Sequence, residues 1–214
     1  MTVLTIGEAA FFLCEDLQDI VFPSSITKIG SGAFQGCMSF HNVRLPNKLK
    51  IIDVQTFDSC RNLTHVFIPD NIEEIGNMAF EATGLKSVCL PKQLKRLGGM
   101  AFATAPLSRI ETNSTKFRVD NLTVYSADGK ELIQYYGKDE KFVIPNTVEK
   151  IADFAFAFAY TIREIFIPSS VTEIGKSFLL ETSPDKIIVP ASLKKIVSER
   201  VESWSREHII VSGS

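Results

Sequence analysis

The chain has 214 residues, is 45% hydrophobic and carries a formal net charge of −2. That length and apolar content suffice for a sizeable core, and the charge balance leaves no basic excess for nucleic acid or an anionic membrane surface. No stretch approaches the ~18 apolar residues of a membrane span, and no charged n-region with an apolar h-region marks a signal peptide.

A segment recurs every 22 or 23 residues. Copies start at Ile6, Ile29, Ile52, Ile75, Leu97, Ile151 and Ile174, and the pattern returns at Ile196. Self-similarity at such a period is the signature of a solenoid. The prolines give the register: Pro23, Pro46, Pro69 and Pro91 are 23, 23 and 22 apart, and Pro145, Pro168 and Pro190 follow at 23 and 22.

Within each copy an apolar triplet precedes the proline, as in Ile20-Val21-Phe22 and Ile165-Phe166-Ile167. Another apolar residue stands three places earlier, as at Leu17, Phe40 and Leu63. Alternation along a strand predicts that the outer triplet residues point into the core and the middle one points out. Proline, which has no N–H for a ladder bond, ends each strand. The rest of each copy, Ile-Gly-x-x-Ala-Phe, turns the chain back, and a short helix or 3₁₀ turn is expected there. Phe11, Phe34, Phe57, Phe80, Phe102 and Phe156 lie five residues after their anchors and predict a phenylalanine ladder through the core. Phe178 lies four after Ile174, which reads as a residue lost from that copy.

One copy breaks the period. Asn113 stands where proline is expected, and Pro145 comes 32 residues later. The insert, about residues 113–141, has Asp128-Gly129 between two β-rich runs, 119–125 and 131–136, a hairpin signal. A hairpin packed across the convex face is expected, with Tyr125, Tyr135 and Tyr136 partly exposed. From Ser192, a possible helix cap, apolar residues at Leu193, Ile196, Val197, Val201 and Trp204 have helical spacing. A capping unit over about 192–211 follows, ending in a strand at 208–211, with Trp204 sealing the last layer. The start of the chain shows no comparable cap, which leaves self-association through that end open.

Cys14, Cys37 and Cys60 share one repeat position. Disulfides between stacked repeats and free thiols packed as small apolar groups both fit this spacing, and the free, buried state is expected. Cys89 is a middle triplet residue and should be more accessible. No C-x₂₋₄-C pair is present for a metal, and no nucleophile or phosphate-loop motif appears. Neither cofactor nor catalytic residue is expected, so the chain reads as a non-enzyme. Asn62, Asn113 and Asn121 open glycosylation sequons, which matter only in a eukaryotic secretory pathway.

The I-G-x-x-A-F-x-x-C … L-x-x-I-x-I-P pattern resembles the BspA-like branch of the leucine-rich repeats. The insert "VYSADGKELIQYY" and the closing "KIIVPASL" with its helix are similar to units of that family. The resemblance spans essentially the whole chain. It departs at Phe178, at the insert, and where Thr83, Ala105 and Ala159 replace the cysteine. It implies a right-handed leucine-rich-repeat coil of α/β type, one domain over 1–214, with a concave parallel β-sheet, short convex turns or helices, the inserted hairpin and the C-terminal cap. It further implies a secreted or cell-surface adhesin whose partners are host matrix or cell-surface proteins, with no nucleic acid and no membrane insertion.

The binding face should be the middle triplet residues, projecting from one sheet: Val21, Arg44, Phe67, Cys89, Glu111, Val143, Phe166, Ile188 and Ile210. Seven of these nine are uncharged. Val143, Phe166, Ile188 and Ile210 should form a contiguous apolar patch, which soluble monomers rarely expose without a partner. The alternatives are a structural spacer and a carbohydrate-binding repeat. The last wants exposed aromatics on one face, and only Phe67 and Phe166 stand at outward strand positions.

Overall fold

The structure is a computed structural model that describes residues 4–212, the side chain of Trp204 excepted. It forms two compact units, 1–117 and 118–214. The expected role of Trp204 lies outside the described residues.

Unit 1 contains β1 (Thr5–Ile6), β2 (Lys28–Ile29), β3 (Asn42–Arg44), β4 (Ile51–Ile52), β5 (His65–Phe67), β6 (Glu74–Ile75), β7 (Ser87–Leu90), β8 (Arg96–Leu97) and β9 (Arg109–Thr112). The two-residue strands at the anchors pair in parallel, β1 with β2 and β4 with β6 and β8. The triplet strands pair in parallel too, β3 with β5 and β7 with β9. Each repeat is therefore one rung of a parallel solenoid.

The turn that follows each anchor is not helical. Counting from the anchor, the N–H groups of the third, fifth and seventh residues donate to the next rung. In the Ile29 rung Gly32, Phe34 and Gly36 reach the carbonyls of Val54, Thr56 and Asp58 at 2.8–2.9 Å. The alternate N–H groups of Ala33, Gln35 and Cys37 close local turns on Gly30, Gly32 and Phe34. A local bond from residue i+3 to residue i with positive φ between them is the type II turn. Accordingly the third and seventh positions have φ near +50° to +75° throughout, whether glycine (Gly32, Gly36) or not (Gln55, Ser59, Met78, Ala82). The expected helix is absent because a left-handed residue every fourth position interrupts any helical run.

The glycine after the anchor has a different role. A Cβ on Gly30, Gly76 or Gly98 would sit 2.7, 2.7 or 2.4 Å from backbone of the preceding rung. These glycines permit close rung-to-rung approach; Gly7, with nothing within 4 Å, is the exception.

The phenylalanine ladder forms. Phe11, Phe34, Phe57, Phe80 and Phe102 stack in sequence with centroids 5.1–5.5 Å apart and ring planes within 9°. Phe34, Phe57 and Phe80 are fully buried. All four cysteines are free; Cys37 and Cys60 are buried, while Cys14 is exposed. The buried thiols are more than apolar filler: Sγ of Cys37 and of Cys60 each donates to a phenylalanine carbonyl of the preceding rung, Phe11 and Phe34, at 3.1 Å. Burial pushes their pKa values up to about 11 and about 12.

Unit 2 carries β10 (Phe117–Asp120), whose first residue ends unit 1, then β11 (Thr123–Ser126), β12 (Glu131–Tyr135), β13 (Lys141–Val143), β14 (Lys150–Ile151), β15 (Glu164–Phe166), β16 (Glu173–Ile174), β17 (Lys186–Val189), α1 (Lys194–Arg200) and β18 (Ile209–Val211). Two sheets result, one ordered β10-β11-β12-β14-β16 and one β13-β15-β17-β18.

The expected hairpin is present as β11 and β12, antiparallel, with Gly129 at φ +74°. The run read as one strand, 119–125, is broken by Asn121 and Leu122 at φ +44° and +62°, the two positive values of a tight hairpin turn, so β10, β11 and β12 form a meander. The meander does not lie across an outer face. Glu131 and Leu132 of β12 pair in parallel with Lys150 and Ile151, so β12 is itself an anchor strand. That placement overturns the expected exposure of Tyr125 and Tyr135, which are 3% and 2% exposed. Tyr135 takes the ladder position against Phe156, centroids 5.5 Å apart, and its hydroxyl donates to Asp139 Oδ2 at 2.9 Å.

No residue is lost before Phe178. Phe154, Phe156 and Phe158 donate to Lys176, Phe178 and Leu180, the same rung offset as in unit 1, and Ser177 and Glu181 keep the positive φ positions. Phe178 therefore fills the alanine position and Leu179 the phenylalanine position. Thr182 stands where Cys37 and Cys60 stand, its hydroxyl donating to the Phe156 carbonyl at 2.5 Å. The shortening falls after it, where Thr182 and the buried Pro184 match Thr83 and Leu85 of the other 22-residue copy.

The closing unit is a 3₁₀ turn at Ala191–Leu193, the seven-residue α1, a second 3₁₀ turn at Ser203–His208, and β18 paired with β17. Ser192 caps nothing: it lies inside the first turn, and neither that turn nor α1 has a side-chain cap. Leu193, Val197 and Val201 are buried against the last layer.

Candidate protein-binding face

Every predicted face residue that lies in a strand is more exposed than both of its chain neighbours; Val21 lies in no strand. In β7, Val88 and Leu90 are buried and Cys89 is exposed; β3 alternates in the same way around Arg44. The expectation of one sheet fails. In unit 1 the triplet strands form separate pairs, β3-β5 and β7-β9, and Ile20–Phe22 forms no strand. Ladders three or four residues long have few bonds to hold a seam. A groove lined by Phe67, Asp70, Cys89 and Asn113 lies between β5 and β7, and another lined by Val21, Phe22, Arg44 and Asn47 lies beside β3.

The unit 1 face is mixed. Val21 is 92% exposed, and Phe67 is covered on one side by the Arg44 guanidinium, 4.1 Å from its centroid. Glu111 pairs with Arg109 at 2.5 Å, beside Cys89. Burial, followed by the Glu111 carboxylate, raises the Cys89 pKa, so this exposed thiol is not activated.

The unit 2 face is continuous. Val143 pairs with Phe166, Phe166 with Ile188, and Ile188 with Ile210, in one row across four hydrogen-bonded strands. Val143 is 61% and Ile210 43% exposed; Phe166 and Ile188 are part-exposed. Lys141 lies over the Phe166 ring at 4.6 Å. Two residues upstream runs a charged row in which Glu164 takes Lys186 at 2.8 Å and Lys141 at 3.7 Å. The Lys186 hydrogen bond holds the Glu164 carboxyl below its ordinary range.

Sequence reasoning missed one cluster. It assigned the phenylalanines to the core, yet Phe154 and Phe158 are part-exposed on the turn side of the Ile151 rung, and Tyr160 beside them is 63% exposed. The signal was present: "FAFAFAY" puts aromatics at the third, seventh and ninth positions as well as at the fifth. Among the described residues no group of three or more His, Cys, Asp or Glu side chains is placed to hold a metal ion, and no helix is long and apolar enough to cross a membrane.

Stacked rungs with an anchor strand, a turn side and a triplet strand define a leucine-rich-repeat solenoid, a class that is generally non-catalytic. The chain belongs to the family described as the BspA type leucine rich repeat region, matching it over residues 1–125 and 130–211. No curated protein matches the chain.

Among solved structures, it is similar to a leucine rich cell surface protein from Faecalibacterium prausnitzii, with 30% identity, TM-score 0.75, and coverage of 87% of this chain and 51% of that one. A leucine-rich repeat protein from Bacteroides ovatus matches at 25% identity and TM-score 0.60, over 88% of this chain and 53% of that one. The pneumococcal vaccine antigen PcpA shares the fold at 18% identity and TM-score 0.68, over 99% of this chain and 78% of that one. The chain spans about half the length of the first two.

Proposed function

We propose that this chain is a non-catalytic protein-binding repeat module of a cell-surface or secreted protein, and that its partner is a host matrix or cell-surface protein. The observation that carries the reading is the in-register apolar row Val143–Phe166–Ile188–Ile210, with 61% and 43% exposure at its ends. Exposed apolar rows flanked by charge mark association surfaces on soluble proteins. Arg44, Phe67 and Glu111 form a second, more polar contact region on the other unit. Surface localisation is supported by the similar protein from Faecalibacterium prausnitzii, which is described as a cell surface protein.

The test is interferometry of the purified chain against a panel of purified extracellular-matrix proteins, repeated with Phe166→Asp and Ile188→Asp. Both variants should fold, since their side chains leave the core untouched, and both should lose binding. Variants that fold and bind every partner as the parent does would move the site off this face. A parent that binds none of the panel would favour a spacer role.

A further inference from the structure

We propose that the groove between β5 and β7 binds an extended, lysine- or arginine-bearing segment of a partner protein, which adds to the sheet as a strand. The groove lies in the contact region read above at Phe67 and Glu111, and the proposal rests on that reading.

The backbone of the groove sets the kind of ligand. Along a strand, successive residues turn their N–H and C=O groups to opposite edges. Phe67 turns to β3, where its carbonyl accepts the Leu45 N–H at 3.1 Å, so Val66 and Ile68 face β7. Leu90 turns to the β9 side, its carbonyl accepting the Asn113 N–H at 3.0 Å, so Ser87 and Cys89 face β5. Among the described residues no backbone bond joins these two edges. Where the triplet sheet is continuous, the counterparts of Ile68 do bond: Ile144 donates to Phe166 at 3.0 Å and Ile167 to Ile188 at 2.9 Å.

Burial reports the same opening. Val66 and Ile68 are part-exposed, whereas their counterparts in β3 and β7, Val43, Leu45, Val88 and Leu90, are buried. Open strand edges are templates for pairing. An extended peptide is the ligand that presents donors and acceptors at strand spacing.

Charge selects the side chain. Burial first, then the carboxylates of Glu111 and Asp70, raise the pKa of Cys89 in the groove, so both charges are felt there. Arg109 answers Glu111. Asp70 forms no ion pair among the described residues; its Oδ1 takes the Lys92 backbone N–H at 3.2 Å. A cationic side chain of the peptide fits Asp70, and Phe67, 46% exposed, offers apolar surface to its stem. The groove beside β3, lined by Val21, Phe22, Arg44 and Asn47, has no carboxylate in its lining and lacks this selection.

The probe is an end-blocked hexapeptide alternating valine with lysine, titrated into the whole chain while the backbone amides are followed by NMR. It should bind with a Kd on the order of 0.1–1 mM and shift the amides of Val66, Ile68, Ser87 and Cys89. It should also slow iodoacetamide modification of Cys89 but not of Cys14, both exposed. The same peptide with glutamate for lysine should bind at least ~10-fold more weakly, as should one with proline for valine, which lacks those N–H donors. Asp70→Asn should weaken the lysine peptide about 2–5-fold, and Phe166→Asp, in the other unit, should bind it as the parent does. No amide shift at about 5 mM peptide, equal binding of the glutamate or proline peptide, or shifts confined to the groove beside β3 would overturn the proposal. Matrix-protein binding that persists while the peptide fails would strike this groove alone and leave the Val143–Ile210 row standing.

Discussion

The Ile52 rung of unit 1 and the Leu132 rung of unit 2 solve the same problem with different groups. In the first, Gln55, Phe57 and Ser59 donate backbone N–H groups to the next rung, and Phe57 stacks between Phe34 and Phe80. In the second, β12 runs straight from Leu132 to Tyr135 with no room for the first turn. Tyr135 still donates its N–H to Ala155 and still supplies the ring. A side chain adds a link of its own: the buried Gln134 amide reaches the carbonyls of Phe154 and Ala155 at 2.9 and 3.3 Å, beside the backbone bonds these carbonyls accept from Ala157 and Tyr135. The array therefore specifies where the ring and its backbone donor must be, and leaves open which residue type and chain path provide them.

The largest expected effect breaks the regular rung. Phe57→Ala removes a fully buried ring with a partner on each face and should cost about 3–5 kcal/mol. Urea unfolding of a variant as stable as the parent would show the ladder to be dispensable. Next comes the added side-chain link. Gln134→Ala removes a buried side-chain donor while both carbonyls keep their backbone donors, and should cost about 0.5–1.5 kcal/mol; a neutral result would show that the amide contributes nothing to joining the two rungs.

The smallest effect concerns a column found only in the regular rungs. Asp58 and Glu81 are stacked neighbours, Ser59 N–H bonding the Glu81 carbonyl. Asp58 is held by Gln35 Nε2 at 2.7 Å and Ser59 Oγ at 2.9 Å. Burial, and then the Asp58 charge, raises the Glu81 pKa. A carboxyl raised on folding binds its proton more tightly in the folded state. Its contribution is fully present below the unfolded pKa of about 4.3 and is lost as pH rises through the folded value. Glu81→Gln should flatten that loss and stabilise the protein at pH 7 but not at pH 4, with part-exposure keeping the gain small. A urea midpoint lowered by the substitution at pH 7 would contradict the sign.

Much of this was legible in the sequence because it is periodic. Anchors, prolines and triplets carry the rung and strand register, so the row from Val143 to Ile210 could be named before any coordinate. Hydrophobic periodicity is silent on backbone donors, however. It could not separate a helical turn from linked type II turns, since Gln55, Ser59, Met78 and Ala82 are not residues that announce positive φ. Nor could it see that Phe178 had shifted to the alanine position, because spacing alone makes a substitution look like a deletion. The insert was misplaced for a related reason: Tyr135 and Gln134 perform rung functions without the rung motif. The exposed Phe154 and Phe158 were hidden by composition, each reading as one more core phenylalanine.

The alternate N–H pattern has a consequence for how such a protein can change over generations. Each regular rung gives its donors to one side and its acceptors to the other, so a tandem duplication of one whole repeat recreates both junctions at once. Residues added or removed inside the turn would break that match. A single-residue gap is absorbed only past the Cys/Thr position, where 22- and 23-residue copies differ. Lineages can then vary the number of repeats freely while the cross-section of each stays fixed.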